Sequence, residues 1–298
     1  MRPRQGARAL QRAVCGGLVA EVESLLALGT HTPERDESGR TLLHNACKLG
    51  HVAVLRLLLL SGADVRDVDL LGGWSALHYA AFYGFAQAAQ LLLDHSADVN
   101  AADRYGTSAL HLAARSGGDE VARVLIENGA NVYSSVLIDA ATPLHEAAFF
   151  GNADVLKRLI DCGVEVSLTD TVCGQTPLHW AAGNGHVDCV LWLVSAWADV
   201  RAKDHAGNSP MHCAVLHEDA ARCEKIVRLL VRTGAILETV ARNRDGNTPS
   251  CMACSRPLKR VLHAYMLQVR EALRKLAGSD TPASSGAVML LCERDLTV

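Results

Sequence analysis

Six histidines recur at a near-constant interval: His44, His78, His111, His145, His179 and His212. Imidazole moves protons near neutral pH and is the commonest metal ligand, so a periodic set of them is the first place to look for chemistry. The ten cysteines offer a second set, and Cys251-Met252-Ala253-Cys254 makes a C-x-x-C pair. Such a pair can do redox work or supply half of a zinc site. Neither set completes a site. A structural zinc needs two more ligands at suitable spacing, which Cys251 and Cys254 lack. No H-E-x-x-H, no phosphate-binding glycine motif and no nucleophile elbow occurs in the chain. The residues point to no enzyme, no cofactor and no metal.

The histidines instead mark a repeating unit. Each closes a four-residue phrase: Thr41-Leu42-Leu43-His44, Ser75-Ala76-Leu77-His78, Ser108-Ala109-Leu110-His111, Thr142-Pro143-Leu144-His145, Thr176-Pro177-Leu178-His179 and Ser209-Pro210-Met211-His212. Thr248-Pro249-Ser250-Cys251 is a degenerate copy. The first residues lie 34, 33, 34, 34, 33 and 39 apart. A second phrase recurs in phase, as Gly62-Ala63-Asp64-Val65, Ala97-Asp98-Val99-Asn100 and Gly129-Ala130-Asn131-Val132.

Local physics accounts for each position. Thr or Ser is an N-cap whose hydroxyl accepts from an orphan backbone N–H. Pro suits the next position, where no donor is needed. A short helix follows with small pairs such as Ala80-Ala81, Ala113-Ala114, Ala147-Ala148 and Ala181-Ala182, which let neighbours approach closely. Glycine then ends it, for example Gly50, Gly117 and Gly151. A second helix carries leucines at helical spacing, and a turn holding Asp and Gly leads to the next unit. A module of about 33 residues cannot close a core alone, so the units must stack.

This pattern resembles the ankyrin repeat family, whose period and Thr-Pro-Leu-His phrase are the same. The resemblance covers roughly residues 5–276 and implies an all-α ankyrin repeat solenoid of stacked helix-turn-helix units with β-turn or hairpin connections. It implies that the motif histidines join an inter-repeat hydrogen-bond system. It implies protein binding without catalysis. The organisation expected is an N-terminal capping repeat over 1–35, six repeats over 36–242, a C-terminal capping repeat over 243–276 with a long basic amphipathic helix, and a flexible tail over 277–298. The 137–169 unit departs by placing Ala140 where the turn glycine belongs and by lacking the usual Asp. The 204–242 unit carries extra residues around Glu218–Cys223.

Composition bounds the rest. The 298 residues are 49% hydrophobic and 4% aromatic, with 29 Lys+Arg against 32 Asp+Glu. That excludes a wholly disordered or collagen-like chain. No apolar run approaches a bilayer span. Residues 13–255 hold 18 basic and 28 acidic side chains, whereas 256–276 hold six basic and one acidic. An acidic body argues against direct nucleic acid binding. Scattered cysteines fit reduced thiols in a cytoplasmic or nuclear protein. Arg2, Arg4, Arg8 and Arg12 read as a basic lead-in to the first helix; an acid-free start of this kind also resembles a transit peptide.

By register with the family, the turn tips and the far end of the first helix line the concave face. Carried over residue by residue, this places Trp74, Phe82, Tyr83, Arg104, Tyr105, Arg115, Phe149 and Phe150 there. Trp, Tyr and Arg concentrate binding energy at protein interfaces, so these eight form the expected partner-binding surface. The competing reading packs some of them against neighbouring turns. The expected function is a scaffold or adaptor that binds a partner protein, with no small-molecule substrate. Two alternatives remain: a substrate-recognition adaptor of a cullin-RING ubiquitin ligase, and a nuclear transcriptional co-regulator. For the first, Ala287, Val288, Cys292 and Leu296 resemble the elongin-binding box of ankyrin-plus-SOCS-box adaptors, without the cullin-contacting stretch that should follow. Leu296-Thr297-Val298 fits a groove for hydrophobic C-terminal peptides. Asn100 resembles the asparagine that oxygen-sensing hydroxylases modify in such repeats.

Overall fold

The computed structural model describes residues 3–29 and 35–277. The tail residues singled out above therefore lie outside the described residues. The chain divides into two compact units, Met1–Val172 and Cys173–Val298.

The first unit holds five helix pairs: α1 (Pro3–Cys15) with α2 (Val19–Ala27), α3 (Leu42–Leu49) with α4 (Val52–Leu60), α5 (Ala76–Phe82) with α6 (Ala86–Asp94), α7 (Ala109–Ser116) with α8 (Asp119–Glu127), and α9 (Pro143–Phe150) with α10 (Ala153–Asp161). The helices pack in sequential order. The first member of each pair touches the first members of its neighbours, from α1 to α9, and the second members do likewise from α2 to α10. Ala80, Ala81, Ala113, Ala114, Ala147 and Ala148 are fully buried at the close crossings. Leu55, Leu92, Leu125 and Leu156 fill the space behind them, each wholly inaccessible. Each such leucine contributes about 2 kcal/mol by leaving water.

The second unit repeats the pattern with α11 (Pro177–Gly183), α12 (Val187–Ser195), α13 (Pro210–Ala214) and α14 (Ala220–Leu230). The extra residues seen in the sequence shorten α13 to five residues and lengthen α14 to eleven. A π turn (Val231–Ala235) and a 3-10 turn (Ile236–Thr239) follow, then α15 (Pro249–Met252) and the 22-residue α16 (Arg256–Ala277). Among the described residues there are no strands, only isolated antiparallel bridges at the hairpin necks, Val68 with Ser75 and Ala102 with Ser108.

Hairpins between the pairs project as tips. At each neck a backbone bond closes the loop, Asp69 N–H to Trp74 O at 2.9 Å and Asp103 N–H to Thr107 O at 2.9 Å. The Asp side chain folds back on its own loop. Asp103 Oδ1 accepts from Tyr105 and Thr107 (2.8 Å each), and Asp69 Oδ1 accepts from Gly72, Gly73 and Trp74. Burial alone would raise the Asp69 carboxyl. The Tyr79 hydroxyl and those three N–H groups outweigh it and hold the group below the usual carboxylate range. Gly39 shows how close the tips run. Its φ is +76°, and a Cβ there would lie 2.7 Å from the Leu70 backbone nitrogen in the next tip.

Candidate functional site

The motif histidines are structural, and their hydrogen bonds fix their tautomer. In every unit the backbone N–H of the capping Ser or Thr donates to Nδ1: Thr41 to His44 at 3.0 Å, Ser75 to His78 at 3.2 Å, Ser108 to His111 at 3.1 Å, Thr142 to His145 at 3.3 Å, Thr176 to His179 at 3.2 Å and Ser209 to His212 at 3.2 Å. A backbone N–H cannot accept, so Nδ1 carries a lone pair. Nε2 faces a carbonyl of the following hairpin, that of Asp67, Thr107 or Ala141 in the first unit and Asn208 or Asn247 in the second, at 3.0–3.2 Å. A carbonyl cannot donate, so the proton sits on Nε2. Each ring thereby caps its own helix, and those of His44, His78, His111, His179 and His212 tie theirs to the next repeat. Burial is the largest cause pushing His44, His78, His111 and His212 below the usual imidazole range. Rings with both nitrogens engaged are poor candidates for catalysis.

The eight expected contact residues all lie in the first unit, and most fall into two groups. Trp74, at a hairpin neck, packs edge-on to Tyr79 with centroids 5.2 Å apart and beside Phe82 at 5.5 Å. Its indole N–H donates to Asp103 Oδ2 at 3.0 Å, which ties it to the next tip. Trp74 and Phe82 are half-buried, so packing accounts for part of their surface, while Tyr83, edge-on to Phe82 at 5.2 Å, is exposed. The second group joins α7 to α9. Arg115 donates to both carboxylate oxygens of buried Glu146, at 2.9 and 3.2 Å. The same guanidinium lies 5.6 Å from the Phe150 ring centroid. The Glu146 hydrogen bond is the main cause holding Arg115 above its ordinary basicity. Phe149 and Phe150 meet edge-on at 5.0 Å and are 43% and 45% exposed, a large apolar area in water for two adjacent rings.

Arg104 and Tyr105 occupy a tip and show what the sequence reading missed. Arg104 N–H donates to Gly72 O of the preceding tip at 3.0 Å, and its guanidinium reaches Leu71 O at 3.2 Å. Leu137 N–H donates to Tyr105 O at 2.8 Å, and Thr171 N–H to Asp139 O at 2.7 Å. Successive tips are thus zipped by their backbones, and their side chains form one row. That row includes Leu70, Leu71, Leu137, Ile138 and Val172, each more than 60% exposed. The signal for them was present. Three units spaced 34 apart carry one more residue between the tip's first position and the cap than units spaced 33. The longer tips hold Leu70-Leu71, Leu137-Ile138 and Val172 where polar turn formers belong.

Other candidates are placed as follows. Asn100 accepts from Asn131 N–H at 2.7 Å through its side-chain oxygen and donates to Gly129 O at 3.2 Å, linking adjacent repeats. Cys251 and Cys254 are exposed free thiols. Among the described residues no group of three His, Cys, Asp or Glu side chains could hold a metal ion. No described helix is long and apolar enough to cross a membrane.

Comparison with known proteins agrees with this geometry. A family model for ankyrin repeats matches residues 2–69, 60–135 and 144–241, and a second ankyrin model matches 113–160. A probable E3 ubiquitin-protein ligase, XBOS32 from Oryza sativa subsp. japonica, is 42% identical over 72 residues. Protein phosphatase 1 regulatory subunit 12A from Mus musculus is 39% identical over 70 residues. The chain spans only 14% and 7% of those two relatives. Among solved structures, the human ASB11 ankyrin repeat domain superposes with a TM-score of 0.68 at 28% identity, covering 76% of this chain and 98% of that one. The ankyrin repeat domain of Bcl-3, a member of the IkappaB protein family, gives 0.62 at 26% identity, covering 76% and 100%. The chain belongs to the ankyrin repeat family. It is an ankyrin repeat solenoid, a fold that binds proteins and is generally non-catalytic.

Proposed function

We propose that this ankyrin repeat protein is a scaffold or adaptor that holds a partner protein in the concave groove of its first unit. The contact surface consists of Trp74, Phe82, Tyr83, Arg104, Tyr105, Arg115, Phe149 and Phe150, extended by the apolar tips at Leu70, Leu71, Leu137, Ile138 and Val172. The observation that carries this reading is the Arg115–Glu146 pair beside the exposed Phe149 and Phe150 rings. An ion pair that fixes an arginine against an aromatic face presents a rigid anchor, so little side-chain freedom is lost when a partner covers it. The aromatic and arginine content matches that of energetic centres in protein interfaces. Proximity labelling read by mass spectrometry tests it in cytoplasm and nucleus. Neighbours enriched by the wild type should be lost with Phe149→Ala/Phe150→Ala while circular dichroism stays unchanged. An identical neighbour set for both proteins would sink the reading.

A second reading, a substrate-recognition adaptor of a cullin-RING ubiquitin ligase, is favoured by the ligase names of the plant relatives and by the box-like residues Ala287, Val288, Cys292 and Leu296. Pull-down with elongin subunits separates the two: retention supports the ligase reading, and no retention removes it.

A further inference from the structure

The terminal helix α16 is more than a cap. Closing the stack requires one apolar face, which Leu258, Leu262 and Val269 supply, each below 5% exposed. Yet α16 runs for 22 residues, where α4, α6, α8, α10 and α12 take nine. Its outer face is strongly basic. At about 100° per residue, Lys259, Arg270, His263, Arg256, Arg274 and Arg260 fall within one arc of about 100°. All six are exposed, and Leu267 stands among them, 50% exposed. From Arg256 to Arg274 the stripe is about 27 Å long.

This arrangement works against the helix that carries it. Arg256 with Arg260, and Arg270 with Arg274, set like charges one turn apart. The first turn holds no acid but does hold Arg256 and Lys259, at the end where the helix dipole disfavours cations. Among the described residues α16 makes one ion pair, Lys275 with Glu271 at 2.9 Å, and both lie off the arc. Residues 173–255, the part of the second unit that precedes α16, hold eight basic and eight acidic side chains and offer no surplus of countercharge. Features that cost stability without a local return belong to function.

We propose that the outer face of α16 docks an acidic segment of a partner protein, rich in Asp and Glu over about 27 Å and bearing one apolar side chain that covers Leu267. Charge selects an anion, and Leu267 selects among anions. A nucleic acid backbone would set phosphates against the leucine and answer it with nothing. A membrane-bound helix inserts a broad apolar face, whereas the apolar face of α16 is already buried in the protein. A protein segment alone supplies carboxylates and an apolar group together. This surface belongs to the second unit and is independent of the groove proposed above.

Fluorescence anisotropy on the full chain tests it. The probes are two labelled peptides of about 20 residues, both rich in Asp and Glu, one with a central Leu and one with Ser in its place, together with a duplex DNA of similar length. Vesicles of phosphatidylserine and phosphatidylcholine are tested by co-sedimentation. The leucine peptide should bind best and weaken with salt. The variant Arg256→Gln/Arg260→Gln/Arg270→Gln/Arg274→Gln, checked for fold by circular dichroism, should lose about tenfold or more in affinity. Leu267→Ser should lose about threefold and stop distinguishing the two peptides. Phe149→Ala/Phe150→Ala should bind the peptide as the wild type does. No peptide binding at low salt, binding unchanged by the four substitutions, or tighter binding to DNA or vesicles would each overturn the proposal. Should the fourfold variant fail to fold, Leu267→Ser and the peptide pair decide alone.

Discussion

Arg115 on α7 and Glu146 on α9 form a two-pronged ion pair across a repeat boundary, and the two ends sit in different surroundings. The Arg115 side chain is 40% exposed and that of Glu146 only 8%. The consequences of cutting the pair are therefore unequal. Arg115→Ala strands a buried carboxylate and should cost about 2 kcal/mol, less than a fully buried pair because water reaches the arginine side. Glu146→Ala leaves a guanidinium that can turn to solvent and should cost less. Urea unfolding of both variants measures the asymmetry, and equal losses would contradict it.

The neutral histidine array makes the fold acid-sensitive. His44, His78, His111 and His212 are depressed below their ordinary value of 6.5. The unfolded chain takes up protons as pH falls through 6.5, while the folded rings do not until lower pH. Stability should therefore be full above about pH 6.5 and decline below it, by up to ~1.4 kcal/mol per pH unit for each histidine. Denaturant midpoints from about pH 7.5 to about pH 5.5 measure this before the carboxylates titrate. A flat profile over that window would refute the neutral state of the folded rings.

Among the described residues, Ser96, Ala140 and Trp197 stand in a backbone conformation suited to glycine. Ala140 has φ +55° in a tip, and Trp197 has φ +64° after α12, at the position filled by Gly62, Gly129 and Gly163 in other units. Trp197 is 92% exposed, so its side chain recovers little by packing. Ala140→Gly and Trp197→Gly should each stabilise the protein by about 0.5–1 kcal/mol. Gly39→Ala should act in the opposite sense and cost more than about 1 kcal/mol, since its new Cβ would meet the Leu70 backbone. Thermal melts of the three variants give the signs directly.

The apolar tips should be dispensable for folding. Leu137 is 76% exposed and Ile138 70%. Leu137→Ser/Ile138→Ser should change unfolding free energy by less than about 0.5 kcal/mol for each substitution, as surface changes do. Partner retention in the labelling experiment should fall nonetheless. A large loss of stability would show that these side chains belong to the fold.

Much of this molecule was legible in its sequence because each repeat announces its own start and stop. The Thr-Pro-Leu-His phrase fixes a cap, a first turn and a hydrogen-bonding ring within four residues, and the observed α9 and α11 begin at Pro143 and Pro177 accordingly. Length anomalies were legible as well, since the extra residues near Glu218 became a longer α14 and the long helix expected within 243–276 appears as the 22-residue α16. The candidate face was read less completely. Register singled out Phe149 and Phe150 as exposed, which they are, but it could not say that Trp74 would be drawn inward by Asp103 and Tyr79. That depends on a neighbouring unit 29 residues away. The apolar tips were overlooked because hydrophobic periodicity weighs helices, and a leucine in a turn adds nothing to it.

The zipped hairpins separate two kinds of inheritance within one repeat. Necks at Asp69–Trp74 and Asp103–Thr107 close with the same backbone bond although one loop is a residue longer. Lengthening is thus absorbed at the protruding end and never reaches the helices. The exposed side chains of a tip can be rewritten or recharged at small energetic risk, provided that glycines such as Gly39, where one tip meets the backbone of the next, are kept. Retargeting this protein by grafting new tips should then be a matter of loop exchange, with the Asp and the capping Ser or Thr kept as the splice points and those glycines left in place.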